Sequence, residues 1–127
     1  ETEVVLPRIE SDLFELFEGV ANQTLNEKSL SVSDKAATTV MLVAGGYPEA
    51  YQKNNEITGF DTVDESIVFH AGTTIKDNKV VTNGGRVMAI TSFGDTIEEA
   101  LAKSYRSIDK IHFDKMNYRK DIGFDLL

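Results

Sequence analysis

The sequence predicts an α+β fold, a mostly antiparallel sheet flanked by helices, one near each end of the chain. Three observations lead there. Apolar residues recur at helical spacing only over residues 5–21 and 95–111. Between them lie short apolar runs separated by glycine, asparagine and aspartate, the punctuation of strands and turns. The length, 127 residues, suits one domain with a single core and is too short for two comfortable ones.

The first helix is read from Leu6, Ile9, Leu13, Leu16, Phe17 and Val20, whose steps of three and four make one face. Pro7 suits its first turn, where a missing N–H is no loss. Glu10, Asp12, Glu15 and Glu18 fall mainly on the opposite, solvated side. Residues 22–34 are polar with scattered leucines and read as a helix end and a connection. Thr38 to Ala44 is a continuous β-branched, apolar run closed by Gly45-Gly46, as a buried strand requires. "YPEAYQKNNE" is a turn, Ile57 to Phe60 a short strand, and "VDES" a loop. From Ser66 the pattern is a meander of "SIVFHAG", "TTIK", "KVVT" and "RVMAITS", with Asp77-Asn78 and Asn83-Gly84-Gly85 as hairpin turns. In "GDTIEEALAKSYRSIDKI", Asp95 or Thr96 caps a helix and Glu98 or Glu99 completes a capping box. Ile97, Ala100, Leu101, Tyr105, Ile108 and Ile111 form its buried face. The tail is irregular, anchored by Phe113 and Tyr118.

Composition excludes several function classes. There is no cysteine, hence no disulfide, thiolate metal site or cysteine nucleophile. The net charge of −8 repels phosphate backbones, so no nucleic-acid partner is expected, although a local basic pocket for one small anion is compatible with it. No run approaches the ~20 apolar residues of a membrane span, so no membrane partner is expected and the cytoplasm is the default location. The chain opens on Glu1-Thr2-Glu3 with no initiator methionine, and reads as cut from something longer or processed.

Gly84-Gly85-Arg86 is the first chemical candidate. Paired glycines permit positive φ and close approach to a ligand, with N–H groups turned into a concavity, and an adjacent arginine can clamp phosphate. The competing reading is a bulged hairpin with a solvated Arg86, and spacing alone favours it. His70, at the end of the "VFHAGT" strand, either touches a ligand or is a half-buried histidine bonded to backbone. No second histidine or carboxylate falls at ligand spacing, which leaves a metal site unsupported. The serines make no G-x-S-x-G elbow. Arg119, Lys120 and Asp121 in "NYRKDIG" serve either a ligand or a surface ion-pair cluster, the latter being the commoner fate of such charges. No complete catalytic apparatus is present in these residues.

Taken together, "ETEVVLPRIESDL", "VMLVAGGYPEAY", "ITGFD", "VFHAGT", "VVTNGGRVMAIT", "GDTIEEALAKSY" and "YRKDIG" resemble, in order and spacing, the phosphoribosylamine–glycine ligases, also called glycinamide ribonucleotide synthetases. The resemblance runs from Glu1 to Gly123. It implies the carboxy-terminal part of an ATP-grasp ligase. That enzyme joins glycine to 5-phosphoribosylamine through a glycyl phosphate, with ATP and magnesium as its cofactors. The family's metal segment looks like Glu-x-Asn-x-Arg-Phe-Gly-Asp-Pro-Glu-Thr, of which only the last two residues occur here, as Glu1 and Thr2. The expectation is therefore that this segment alone binds neither ATP nor magnesium and is inactive. The resemblance implies that residues 1–28 are the terminal helix of the ATP-grasp domain and that residues 29–127 are a C-terminal α+β domain like that of biotin carboxylase. Its partners would be the remaining ATP-grasp domains of the same chain and the substrates glycine and 5-phosphoribosylamine. The same resemblance turns Gly84, Gly85 and Arg86 towards phosphoribosylamine, with His70 shaping the pocket. The alternative, from a different class, is a non-catalytic binding or interaction module.

Overall fold

A computed structural model of the chain describes residues 1–126. Its elements, in chain order, are α1 (Thr2–Val5), α2 (Leu13–Ala21), β1 (Ala36–Val43), β2 (Ile67–His70), β3 (Thr73–Lys76), β4 (Lys79–Thr82), β5 (Arg86–Gly94) and α3 (Ile97–Ile108), with short 3₁₀ turns between them. The α+β class stands. The nine-residue β5 is the centre of a three-stranded antiparallel sheet in the order β1-β5-β2, and its length is what lets one strand carry both neighbours. Val40 faces Ile90 across the first pairing, and Val68 faces Ile90 across the second.

The core lies where α3 closes over this sheet. Val40, Leu42, Met88, Ile90, Ile108 and Ile111 are almost wholly buried, and Phe113 from the tail joins them. Burying one such side chain is worth roughly 1.5–3 kcal/mol, so this cluster is the main source of stability. α3 begins as expected. The Thr96 hydroxyl accepts the Glu99 N–H, and the Glu99 carboxylate accepts the Asp95 N–H. Its buried face differs from the expected one: Ser104 and Ser107 are buried, Ile97 and Tyr105 are only half-buried, and Ile111 is buried beyond the end of the helix. The two serine hydroxyls join Ser92, Ser66 and Thr38 in a continuous chain of 2.6 to 3.4 Å contacts that stitches α3 to β1, to β5 and to the residue just before β2. A buried hydroxyl without a partner costs about 1–3 kcal/mol, and here each has one.

Three local expectations are corrected. The single helix over 5–21 is two short helices. The chain breaks at Ile9 to Asp12, because that segment lies beside residues 29–33. Glu10 N–H reaches Ser31 O, Ser33 N–H reaches Arg8 O, and Asp12 then caps α2 through Phe14 N–H at 2.8 Å. The strand at Ile57–Phe60 is reduced to two isolated bridges, Glu56 with Val81 and Thr58 with His112, followed by a 3₁₀ turn. The meander is not continuous either. β3 and β4 form a separate hairpin whose turn residues Asp77 and Asn78 both take positive φ, as a tight hairpin demands. Asn83-Gly84-Gly85 therefore joins two different sheets and closes no hairpin.

Candidate functional site

The end of β1 is a rail shared by two segments that are distant in sequence. On one side Val43 pairs with Arg86 at a register shift in the β1–β5 ladder, and Ala44 N–H donates to Gly85 O at 2.8 Å. On the other side Val43 exchanges both backbone bonds with Asn117, at 2.8 and 3.0 Å. Between them opens a pocket of about 320 Å³ whose lining includes Val43, Tyr47, Arg86, Tyr118, Arg119 and Ile122. Arg86 is exposed.

The glycines earn their place differently from the expectation. Neither Gly84 nor Gly85 takes positive φ. The Gly84 N–H is held by Gly72 O at 3.1 Å, beside the Asn83 N–H at 2.8 Å, so it does not face a concavity. What both positions require is closeness. A Cβ on Gly85 would overlap the Tyr47 ring, and one on Gly84 would come within 3.0 Å of the Gly72 Cα. Gly85 thus seats Tyr47, a wall of the pocket that sequence reasoning left inside a turn. The signal was there in a weak form: a glycine with no conformational need implies a bulky neighbour.

His70 ends β2 opposite Met88 and is exposed. Its Nδ1 lies 3.0 Å from the Thr73 hydroxyl, and its ring meets Phe60 edge-on at 5.4 Å. It lines a different hollow, with Thr2, Glu3, Leu6, Pro7 and Phe69. The structure therefore brings the His70 strand end next to the glycine turn through Gly72, but assigns His70 and Arg86 to separate pockets.

Arg119 is bound by Asp121 in a two-point pair, Nε to Oδ1 at 2.9 Å and Nη2 to Oδ2 at 2.8 Å. The hydrogen bonds from Arg119 hold the Asp121 carboxyl below the usual carboxylate range, and those to Asp121 raise the guanidinium further. Arg119 and Asp121 thus form a surface ion pair, in which Lys120 takes no part, and Arg119 also lines the Arg86 pocket. Among the described residues no three histidine or carboxylate side chains converge as metal ligands, so none is assigned to magnesium. No helix among them is long and apolar enough to cross a membrane.

The sequence model of the family described as phosphoribosylglycinamide synthetase, C domain, matches residues 37–125. A bifunctional purine biosynthetic protein of Schizosaccharomyces pombe is 46% identical over 129 residues, covering 100% of this chain and 16% of the relative. A phosphoribosylamine–glycine ligase of Caldanaerobacter subterraneus is 43% identical over 123 residues, covering 97% of this chain and 30% of the relative. The crystal structure of a phosphoribosylamine–glycine ligase from Thermotoga maritima superposes with a TM-score of 0.69 at 37% identity, over 84% of this chain and 27% of that one. The chain thus spans less than a third of the relatives named, and its sequence and its fold agree: it belongs to the phosphoribosylglycinamide synthetase C-domain family.

Proposed function

We propose that these residues are the C-terminal part of a cytoplasmic phosphoribosylamine–glycine ligase of de novo purine biosynthesis. In that reading residues 1–28 end the ATP-grasp domain and residues 29–127 are the domain that closes on its substrates. The reaction joins glycine to 5-phosphoribosylamine and releases glycinamide ribonucleotide, ADP and phosphate. The glycine carboxylate takes the terminal phosphoryl group of ATP, the amine nitrogen attacks the activated carbonyl, and phosphate leaves. ATP and magnesium would be held by other parts of a longer chain; among the described residues no metal-ligand cluster is found.

The observation that carries the reading is Arg86, exposed at the pocket in a chain of this family. A guanidinium meets a phosphate monoester through two parallel N–H donors, which fixes orientation as well as charge. Gly85 supports it by admitting the Tyr47 ring, and Gly84 by letting the turn pass close to Gly72. His70 has a supporting role, holding the strand end that Gly72 docks on the turn. The exposed apolar side chains of α2, Phe14, Phe17 and Val20, suit packing against the remaining ATP-grasp domains.

In the full-length ligase, Arg86→Ala should weaken use of phosphoribosylamine by ~1–3 kcal/mol, the scale of a lost charged hydrogen bond. The measurement is kcat/KM with phosphoribosylamine varied and glycine and ATP saturating. Unchanged kinetics for the amine would make Arg86 a solvated strand residue and overturn the site.

A further inference from the structure

We propose that Arg119 is the second arm of the phosphate clamp opposite Arg86, and that Asp121 and Tyr105 are the positioning residues that hold it there. This rests on the reading of the Arg86 pocket as the phosphoribosylamine site.

The argument starts from the backbone. Val43 is hydrogen-bonded to Asn117 on one edge and is the register partner of Arg86 on the other, where the Ala44 N–H donates to Gly85 O, so the segments bearing the two arginines are fixed on either side of the end of β1. The 119–122 segment is then latched by one side chain of α3. The Tyr105 hydroxyl donates to Arg119 O at 3.2 Å and accepts the Ile122 N–H at 3.4 Å. A segment of irregular backbone is thereby tied to α3, the helix packed on the core sheet.

The guanidinium is fixed in turn. Asp121 engages the Nε and Nη2 side of Arg119, which locks the plane of the fork and leaves the Nη1 end unengaged by that carboxylate. Five donors in a rigid fork allow such double duty, one edge to an orienting carboxylate and another to a ligand. A free arginine pair in one pocket would repel; Asp121 offsets one charge and leaves the pocket net positive within a chain of net charge −8. The ligand class that fits is a sugar phosphate monoester. Two guanidinium groups take the dianion, while the Tyr47 and Tyr118 rings flank the sugar.

The test compares Arg119→Lys, Asp121→Asn and Tyr105→Phe in the full-length ligase. Ribose 5-phosphate serves as a competitive probe, and thermal unfolding is followed in parallel. Arg119→Lys keeps the charge but loses the fork. We expect KM for phosphoribosylamine and the inhibition constant of ribose 5-phosphate to rise about ten- to hundred-fold, with KM for ATP unmoved and the melting temperature preserved. Asp121→Asn should raise the same two constants by less, with kcat little changed, because uniform binding is what is lost. Tyr105→Phe should follow Asp121→Asn. If Arg86→Ala shifts both constants and Arg119→Lys shifts neither, the second arm is refuted while the Arg86 site stands. If neither variant shifts them, both fall together.

Discussion

Two helices of this chain carry the same apolar periodicity and end in opposite surroundings. α3 buries Ala100, Leu101, Ser104, Ser107 and Ile108 between β1 and β5. α2 is the more apolar of the two, yet it buries only Gly19 and leaves Phe14 73% and Phe17 63% exposed. Period tells where a helix forms and which stripe it offers; it does not tell whether anything covers the stripe. The family match begins at residue 37, beyond α2, so the covered helix belongs to the recognised domain and the uncovered one lies outside it.

The comparison breaks most directly through stability. Ile90 is fully buried at the centre of the sheet, and Ile90→Ala should cost about 2–5 kcal/mol for lost transfer energy and the cavity left behind. Phe17→Ala in the same chain should stay within ~0.5 kcal/mol, as surface changes do. Denaturant unfolding of both variants gives the answer. Equal costs would mean that α2 is packed in solution, and the contrast drawn above would be lost.

A smaller effect sharpens it at the pocket end of the sheet. Gly85→Ala should cost about 1 kcal/mol, because its methyl group would collide with the Tyr47 ring, which is 40% exposed and can give way in part. Tyr47→Ala should relieve much of that, so the double variant would show a coupling of at least ~0.5 kcal/mol in a mutant cycle. Strict additivity would return Gly85 to a purely conformational role. No comparable coupling is expected between Phe17 and its exposed neighbours on α2.

What was legible follows the same division. The capped α3, the Asp77-Asn78 hairpin and the Phe113 anchor were each specified by local pattern, as was β1, although it buries only the alternate residues Thr38, Val40 and Leu42. The break at Ile9 to Asp12 was not, because a non-local strip, residues 29–33, takes those backbone groups out of the helix. The same holds for Asn83-Gly84-Gly85. Its glycines suggest a hairpin with positive φ, yet neither takes positive φ, and β5 is claimed on both sides by β1 and β2, so β4 has no edge left to pair with it. Arg86, His70 and Arg119 were visible as candidates, whereas the shared pocket of Arg86 and Arg119 depends on Val43 lying between two segments, which no spacing reveals.

The smallest effect concerns charge, and it again separates the two helices. α3 is tied to the loop before β2 by Arg106 with Glu65, at 2.8 and 2.9 Å, and the turn that follows α3 by Lys110 with Asp64 at 2.6 Å. Among the described residues no ion pair involves residues 13–21 of α2. The hydrogen bonds from Arg106 and Lys110 hold both carboxyls below their ordinary range. A carboxylate whose pKa is depressed in the folded state stabilises the fold above its unfolded pKa, near 4, and that contribution disappears as pH falls through the folded value. The unfolding midpoint should therefore be flat from about pH 7 to 5 and fall below about pH 4. Combining Glu65→Gln with Asp64→Asn should flatten part of that fall. All four groups are solvent-exposed, so the change should be smaller than either effect above and should shrink in 1 M salt, where screening acts over ~3 Å. An acid transition unaltered by the paired substitution would place the pH sensitivity elsewhere and leave packing alone to distinguish α3 from α2.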